Sequence, residues 1–178
     1  MPFLPSPCVD ILTMEGKQGE DRLLCGLGQQ AAGQKPDGWR EVVAVVDSGA
    51  EETVAPPGLL PGPVAESPMQ RAGGRYRAAN GARIPNLGQQ RAAFRTAEGQ
   101  RCSLMFQVAG VERPLVSVSQ LVKTGHRVEF GTAEGAIVNQ KTGRKIRLQR
   151  VGGVYVLRMR FRDEGADRQP AGFSRPGR

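Results

Sequence analysis

A single histidine, His126, stands in this chain of 178 residues, and that scarcity removes most hydrolase chemistry at the outset. A serine or cysteine nucleophile needs a basic partner, and His126 would have to be that partner alone. The three cysteines, Cys8, Cys25 and Cys102, are far apart and form no CxxC pair. Neither a disulfide framework nor a Cys/His zinc site is expected, and Cys102 reads as a small apolar residue in a strand. Aromatic residues make up only 5% of the chain, which leaves few faces on which nucleic-acid bases could stack. No apolar run approaches the roughly 20 residues needed to cross a bilayer. The opening Met1-Pro2-Phe3-Leu4-Pro5-Ser6-Pro7 has neither the basic cluster nor the apolar stretch of a secretory signal. The expectation is a protein kept inside the cell, in the cytoplasm, or cut from a larger polyprotein, with no membrane contact, metal or cofactor.

Glycine (24) and proline (13) are abundant, which favours short strands and loops over long helices. The net charge of +8 is uneven: residues 1–140 carry 14 basic and 14 acidic side chains, whereas residues 141–178 carry 11 basic and 3 acidic. The basicity therefore belongs to the C-terminal segment, where weak nucleic-acid contact competes with a merely solvated charged face.

Residues 1–38 read as a flexible leader with edge strands around Val9–Leu12 and Leu23–Cys25. Glu41–Val46 is apolar on both faces and β-branched, the pattern of a central buried strand, and it ends at Asp47-Ser48-Gly49-Ala50. Pro56-Pro57-Gly58 and Pro61-Gly62-Pro63 then enforce a loop. Arg75–Ala79 and Ala82–Pro85 read as a hairpin across a type I′ turn at Asn80-Gly81, and Gln89–Thr96 with Arg101–Val108 as a second. Pro114–Val116 reads as a strand followed by one short helix ending at Gly125, and Arg127–Phe130 as a strand that closes a unit over residues 39–130. Alternating residues in Ala136–Asn139, Arg144–Gln149 and Val154–Arg160 predict a separate C-terminal β-meander over 131–161, with a basic disordered tail over 162–178.

An Asp-Ser-Gly triplet alone is weak, because it is also an ordinary turn sequence. Here a buried strand delivers it, and Ala50-Glu51-Glu52-Thr53-Val54 follows. In this context the chain resembles the retropepsins, whose signature is an apolar strand, Asp-Thr/Ser-Gly-Ala, an acidic pair and Thr-Val. Tyr76–Gly88 resembles the family's flap hairpin, and Pro114–Leu121 the strand and helix near its C-terminus. His126–Phe130 falls where the family places its terminal dimer strand. Leu115-Val116-Ser117-Val118-Ser119-Gln120-Leu121 is most similar to copia-type LTR retrotransposon peptidases. The resemblance covers about half of the chain and implies a mainly β fold, a closed barrel equivalent to half of an acid protease. Two departures stand out. Ser117-Val118-Ser119 replaces the family's Gly and the Arg-Asn pair that braces the acidic loop, and Glu51 stands where Asp is usual.

Peptide hydrolysis by this route needs two carboxylates that share one proton: one takes a proton from water while the other protonates the scissile carbonyl oxygen. Only one Asp-[Ser/Thr]-Gly occurs, so the resemblance implies a homodimer with Asp47 from each copy at a two-fold axis. It further implies that Ser48 and Gly49 order the carboxylates and that Ala50 and Glu51 hold a polypeptide substrate as an added strand. Asn80 and Gly81 would tip a flap that closes over it. The competing expectation is a domesticated, non-catalytic module that keeps the fold for binding or assembly.

Overall fold

The computed structural model of the chain describes residues 38–78 and 81–162. The expected leader, its edge strands, Asn80 and the tail from residue 163 lie outside the described residues. Within them the protein is mainly β. In chain order the elements are β1 (Trp39–Asp47), β2 (Val54–Ala55), α1 (Pro68–Arg71), β3 (Arg75–Arg77), β4 (Arg83–Arg95), β5 (Arg101–Ala109) and β6 (Leu115–Ser117). There follow α2 (Val118–Lys123), β7 (His126–Phe130), β8 (Glu134–Asn139), β9 (Lys145–Val151) and β10 (Val154–Arg162).

The apolar pattern of β1 explains its central place. Val42, Ala44 and Val46 face the main core, while Val43 and Val45 join a smaller cluster with Val54, Leu115 and Val156 on the other face. Both edges of β1 are used as well. β10 runs antiparallel along it, from Trp39 opposite Arg162 to Val46 opposite Tyr155, and β6 pairs in parallel with Val45–Asp47. The strand order is β3-β4-β5-β2-β6-β1-β10-β9-β8-β7, and β10 also meets β4 where Arg160 faces Arg95. Strands β4-β5-β2-β6-β1-β10 therefore close into a ring, with β9, β8 and β7 continuing outward as a meander. Phe106, Leu148, Leu157, Met159 and Phe161 fill the core, and Phe94 tilts against Phe161 with ring centroids 5.9 Å apart.

Several expectations change at this level. The boundary placed at residue 130 is not a break in the sheet, because β7 pairs with β8 and β10 lies along β1. Local alternation showed the meander strands but carried no information on where the last one returns. Arg162, assigned to the tail, is the final residue of β10. The two expected hairpins share one long strand, β4, whose pairing with β5 shifts by one residue between Asn86 and Gly88. This bulge lets the strand bend without ending. In the first hairpin, Ala78 N–H bonds to Ala82 O and Gly81 N–H to Ala78 O, and the type I′ turn expected at Asn80-Gly81 lies partly outside the described residues. Gly81 takes a positive φ of 82°. A second helix, α1, was not anticipated between the prolines and the hairpin. Ser67 caps it by accepting from Gln70 N–H, and Pro68 opens its first turn.

Truncation after Gln140 tests the integration of β10. It would remove five well-buried side chains (Leu148, Val156, Leu157, Met159 and Phe161) and strip one edge of β1. At about 1.5–3 kcal/mol for each buried side chain, the loss exceeds much of the roughly 5–15 kcal/mol that stabilises a typical domain. The truncated chain is expected to lose its cooperative thermal transition in circular dichroism. A sharp transition retained near the full-length midpoint would show an independent unit ending before β9.

Candidate active site at the end of β1

Asp47 is the last residue of β1, half-buried, with Ser48 and Gly49 exposed beyond it. It is the only aspartate among the described residues. The strand stops here because β10 has already turned away at Val154 and only β6 still pairs, with Ser117 opposite Asp47. Gly49 N–H donates to Asp47 Oδ1 at 2.8 Å, closing a tight Asx-type turn that orients the carboxylate. A Cβ at Gly49 would have one neighbour within 4 Å among the described residues, Asp47 Oδ1 at 3.4 Å. No described residue crowds this position.

Three residues hold the loop from below. Ser117 is fully buried; its hydroxyl donates to Ala50 O at 2.6 Å and accepts from Gln120 N–H at 3.2 Å. The Ser117 N–H donates to Thr53 Oγ1, also buried, at 3.1 Å. The Gln120 amide reaches Glu51 O and Glu52 Oε2, each at 3.2 Å. Ser117-Val118-Ser119-Gln120 has the Ser-x-x-Gln spacing of a capping box, yet only half of the box forms. Gln120 turns outward to the acidic loop instead of back to Ser117, and Thr53 takes the place it leaves. The first turn of α2 thus grips the Asp47 loop where the sequence had no Arg-Asn pair to do so. Sequence reasoning missed this grip: the Ser-x-x-Gln spacing signals the helix cap at Ser117 but not the contacts of Ser117 and Gln120 with residues 50–53.

A second polar hub fixes the hairpin of β3 and β4. Asn86 is buried and its carboxamide is fully used. The oxygen accepts from Ser67 Oγ and Gly88 N–H, and the amide donates to Tyr76 Oη and Gln107 Oε1, all at 2.8 Å. Gly88 is required beside it, with φ 132° and space such that a Cβ would fall 2.6 Å from Ala65 O. Tyr76 packs on the cluster of Val45, Val54 and Leu115 beneath the Asp47 loop. Burial pushes its phenol up and the charge of Glu52 adds to this, against the lowering effect of the Asn86 hydrogen bond. The hairpin base is thereby coupled to the acidic loop. A cavity of about 500 Å³ opens beside it, lined by Gly73, Arg75, Tyr76, Arg77 and Arg83, and Asp47 does not line it.

Among the expected site residues, Asp47, Ser48, Gly49, Ala50 and Glu51 are contiguous in one loop, and Gly81 lies at the hairpin tip beyond Tyr76. The histidine and the described cysteine are engaged elsewhere. His126 lies between Thr124 Oγ1 at 3.2 Å and Asn139 Nδ2 at 3.3 Å. Burial pushes the Cys102 thiol up, only partly countered by Arg144, so it is a poor nucleophile. No group of three or more His, Cys, Asp or Glu that could hold a metal occurs among the described residues. No helix among them is long and apolar enough to cross a membrane.

Ser117→Ala should remove the bond to Ala50 O and the helix cap, costing about 1–3 kcal/mol. Asn86→Ala should cost more, since four groups lose one partner. Urea unfolding of the two variants checks both values, and a loss below 0.5 kcal/mol at either site (roughly the scatter of surface substitutions) would show that the polar hub carries no weight. No protein-family model matches this chain, and no curated protein matches it.

Proposed function

We propose that this protein is an aspartic endopeptidase of retropepsin type, active as a homodimer that brings two Asp47 carboxylates together. One observation carries the reading. A buried strand, held on both edges, ends in a half-exposed aspartate whose carboxylate is oriented by the Gly49 N–H. The open space at Gly49 supports the dimer, since a glycine that no described residue crowds suits the close approach of a second backbone.

In the proposed reaction one Asp47 is ionised and its partner protonated, because two close carboxylates do not both ionise cheaply. The ionised carboxylate takes a proton from water as the water oxygen attacks the scissile carbonyl carbon. The protonated one gives its proton to the carbonyl oxygen, and the tetrahedral diol collapses with release of the amine, which takes up a proton. Ser48 and Gly49 order the carboxylate pair. Ala50 and Glu51 offer main-chain groups to an extended peptide, and the hairpin tip at Asn80 and Gly81 closes over it. The Ser117–Gln120 grip keeps this loop in one geometry, which is what catalysis by positioning requires. β7 is hydrogen-bonded to β8 alone among the described strands, and its other edge is available for the expected dimer contact.

Hydrolysis of an unstructured protein or a peptide library tests the reading. Specific activity should fall as the enzyme is diluted below its dimer dissociation constant. Asp47→Asn should reduce turnover by at least about 10³-fold without changing the thermal midpoint by more than a few degrees, since the amide cannot act as base. Full specific activity in dilute monomer, or retained activity in Asp47→Asn, would contradict the mechanism. A folded wild type without peptidase activity across the acidic and neutral range would leave the non-catalytic module as the better account.

A further inference from the structure

β3 lies at the edge of the sheet, paired with β4 and with no other described strand. The ladder decides which of its main-chain groups are left over. Ala78 N–H bonds to Ala82 O and Asn86 N–H to Gly74 O, so the hydrogen-bonded pairs of this hairpin are 78 with 82, 76 with 84 and 74 with 86. Arg75 and Arg77 fall between these pairs, opposite Pro85 and Arg83. Their N–H and C=O groups therefore point away from β4, toward the open edge. Pro85, which has no N–H to give, suits a position where none is called for.

The side chains mark the same place. Arg75, Arg77 and Arg83 are exposed on one face, and Tyr76 and Ile84 alternate to the other. Arg77 stands directly opposite Arg83, a like-charge pair that destabilises the hairpin. None of the three forms an ion pair among the described residues. Acid is scarce around them: Glu66 is the only acidic residue from Thr53 to Ala97, and Arg71 holds it at 3.6 Å. Together with Gly73 and Tyr76, the three arginines line the cavity of about 500 Å³ beside the hairpin.

We infer that the β3 edge binds an extended acidic segment of polypeptide as an added antiparallel strand, with carboxylates at alternate positions paired to Arg75 and Arg77. Residues directly opposite in such a ladder share a face, with Cα atoms about 5.5 Å apart. Acids two positions apart thus meet two arginines spaced about 6.7 Å along β3. A second copy of β3 is a poor occupant, because it would set arginine against arginine. A nucleic-acid strand offers no ladder for the open main-chain groups. Nor is a stacking face provided, since Tyr76 packs on the core cluster with its hydroxyl bonded by Asn86. The inference concerns binding and does not rest on the peptidase reading.

The full chain is titrated, at low salt, with a fluorescein-labelled peptide of about nine residues in which Glu and Thr alternate, and anisotropy is followed. Binding should saturate and weaken as salt is added. Arg75→Ala/Arg77→Ala should weaken it about tenfold or more with little change in thermal midpoint, because both positions are exposed. Arg147→Ala/Arg150→Ala, with the same charge loss on β9, should weaken it less than about threefold. N-methylation of the glutamates, whose main chain faces β3 in the bound strand, should abolish binding. N-methylation of the threonines, whose main chain faces outward, should weaken it less than about threefold. Asp47→Asn should bind as wild type, which separates this binding from any hydrolysis. Equal weakening by the β9 pair, indifference to N-methylation, or equal affinity for a peptide with the same glutamates placed consecutively would each overturn the assignment. So would displacement of the peptide by oligo(dT) at equal or lower concentration. No binding at low salt would also overturn it, and would leave the arginines as guards of an exposed edge.

Discussion

Strand β1 is held on both edges and both faces, and the rest of the structure is arranged around the point where that hold stops. Along most of its length β10 supplies one set of main-chain bonds, and the core side chains of the ring supply the other support. At Val45–Asp47 the other edge is taken by β6, whose last residue, Ser117, is also the cap of α2. The chain must leave the sheet at Asp47, and a buried backbone that leaves a ladder needs new partners for its polar groups. Ser117, Thr53 and Gln120 provide them. An exposed, reactive-looking loop is therefore set on one of the most fully bonded parts of the molecule.

The same logic governs the hairpin facing it. β4 is long enough to belong to two structures at once: Arg83–Pro85 pair with β3, and the strand from Asn86 to Arg95 pairs with β5. The bulge between Asn86 and Gly88 falls just after this change of partner. Because the Asn86 amide is saturated by Tyr76, Ser67, Gly88 and Gln107, the base of the hairpin is fixed while its tip at Gly81 projects. Gln90, one step further on, donates to the carbonyl oxygens of Leu60, Pro61 and Gly62 and so ties down the proline-bearing loop, where few main-chain bonds can form.

Much of this was legible in the residues. The two-sided apolar pattern of Glu41–Val46 located the central strand, and the glycines at Gly81, Gly99 and Gly125 fall at positive-φ turns where strands or a helix end. What local pattern could not reveal was partnership. Nothing in Val154–Arg162 says that it returns to β1, because alternation specifies a face and not a neighbour. The polar hubs were hidden for a related reason. Ser117, Thr53, Gln120 and Asn86 are ordinary polar residues in a sequence, and their importance arises only when residues 19 to 69 positions apart meet. Helix α1 is a different kind of miss: Ser67-Pro68-Met69-Gln70 carries a cap signal that the surrounding prolines and glycines masked.

In the proposed enzyme, two copies of Asp47 make one catalytic unit. Wild-type protein and Asp47→Asn are mixed in varying ratio at a fixed total concentration well above the dimer dissociation constant, and peptide hydrolysis is measured after exchange of subunits. If both carboxylates are needed, only wild-type pairs work, and activity should follow the square of the wild-type fraction, reaching one quarter at an equal mixture. A linear decline, with half the activity at an equal mixture, would show that each chain acts alone and would contradict the account.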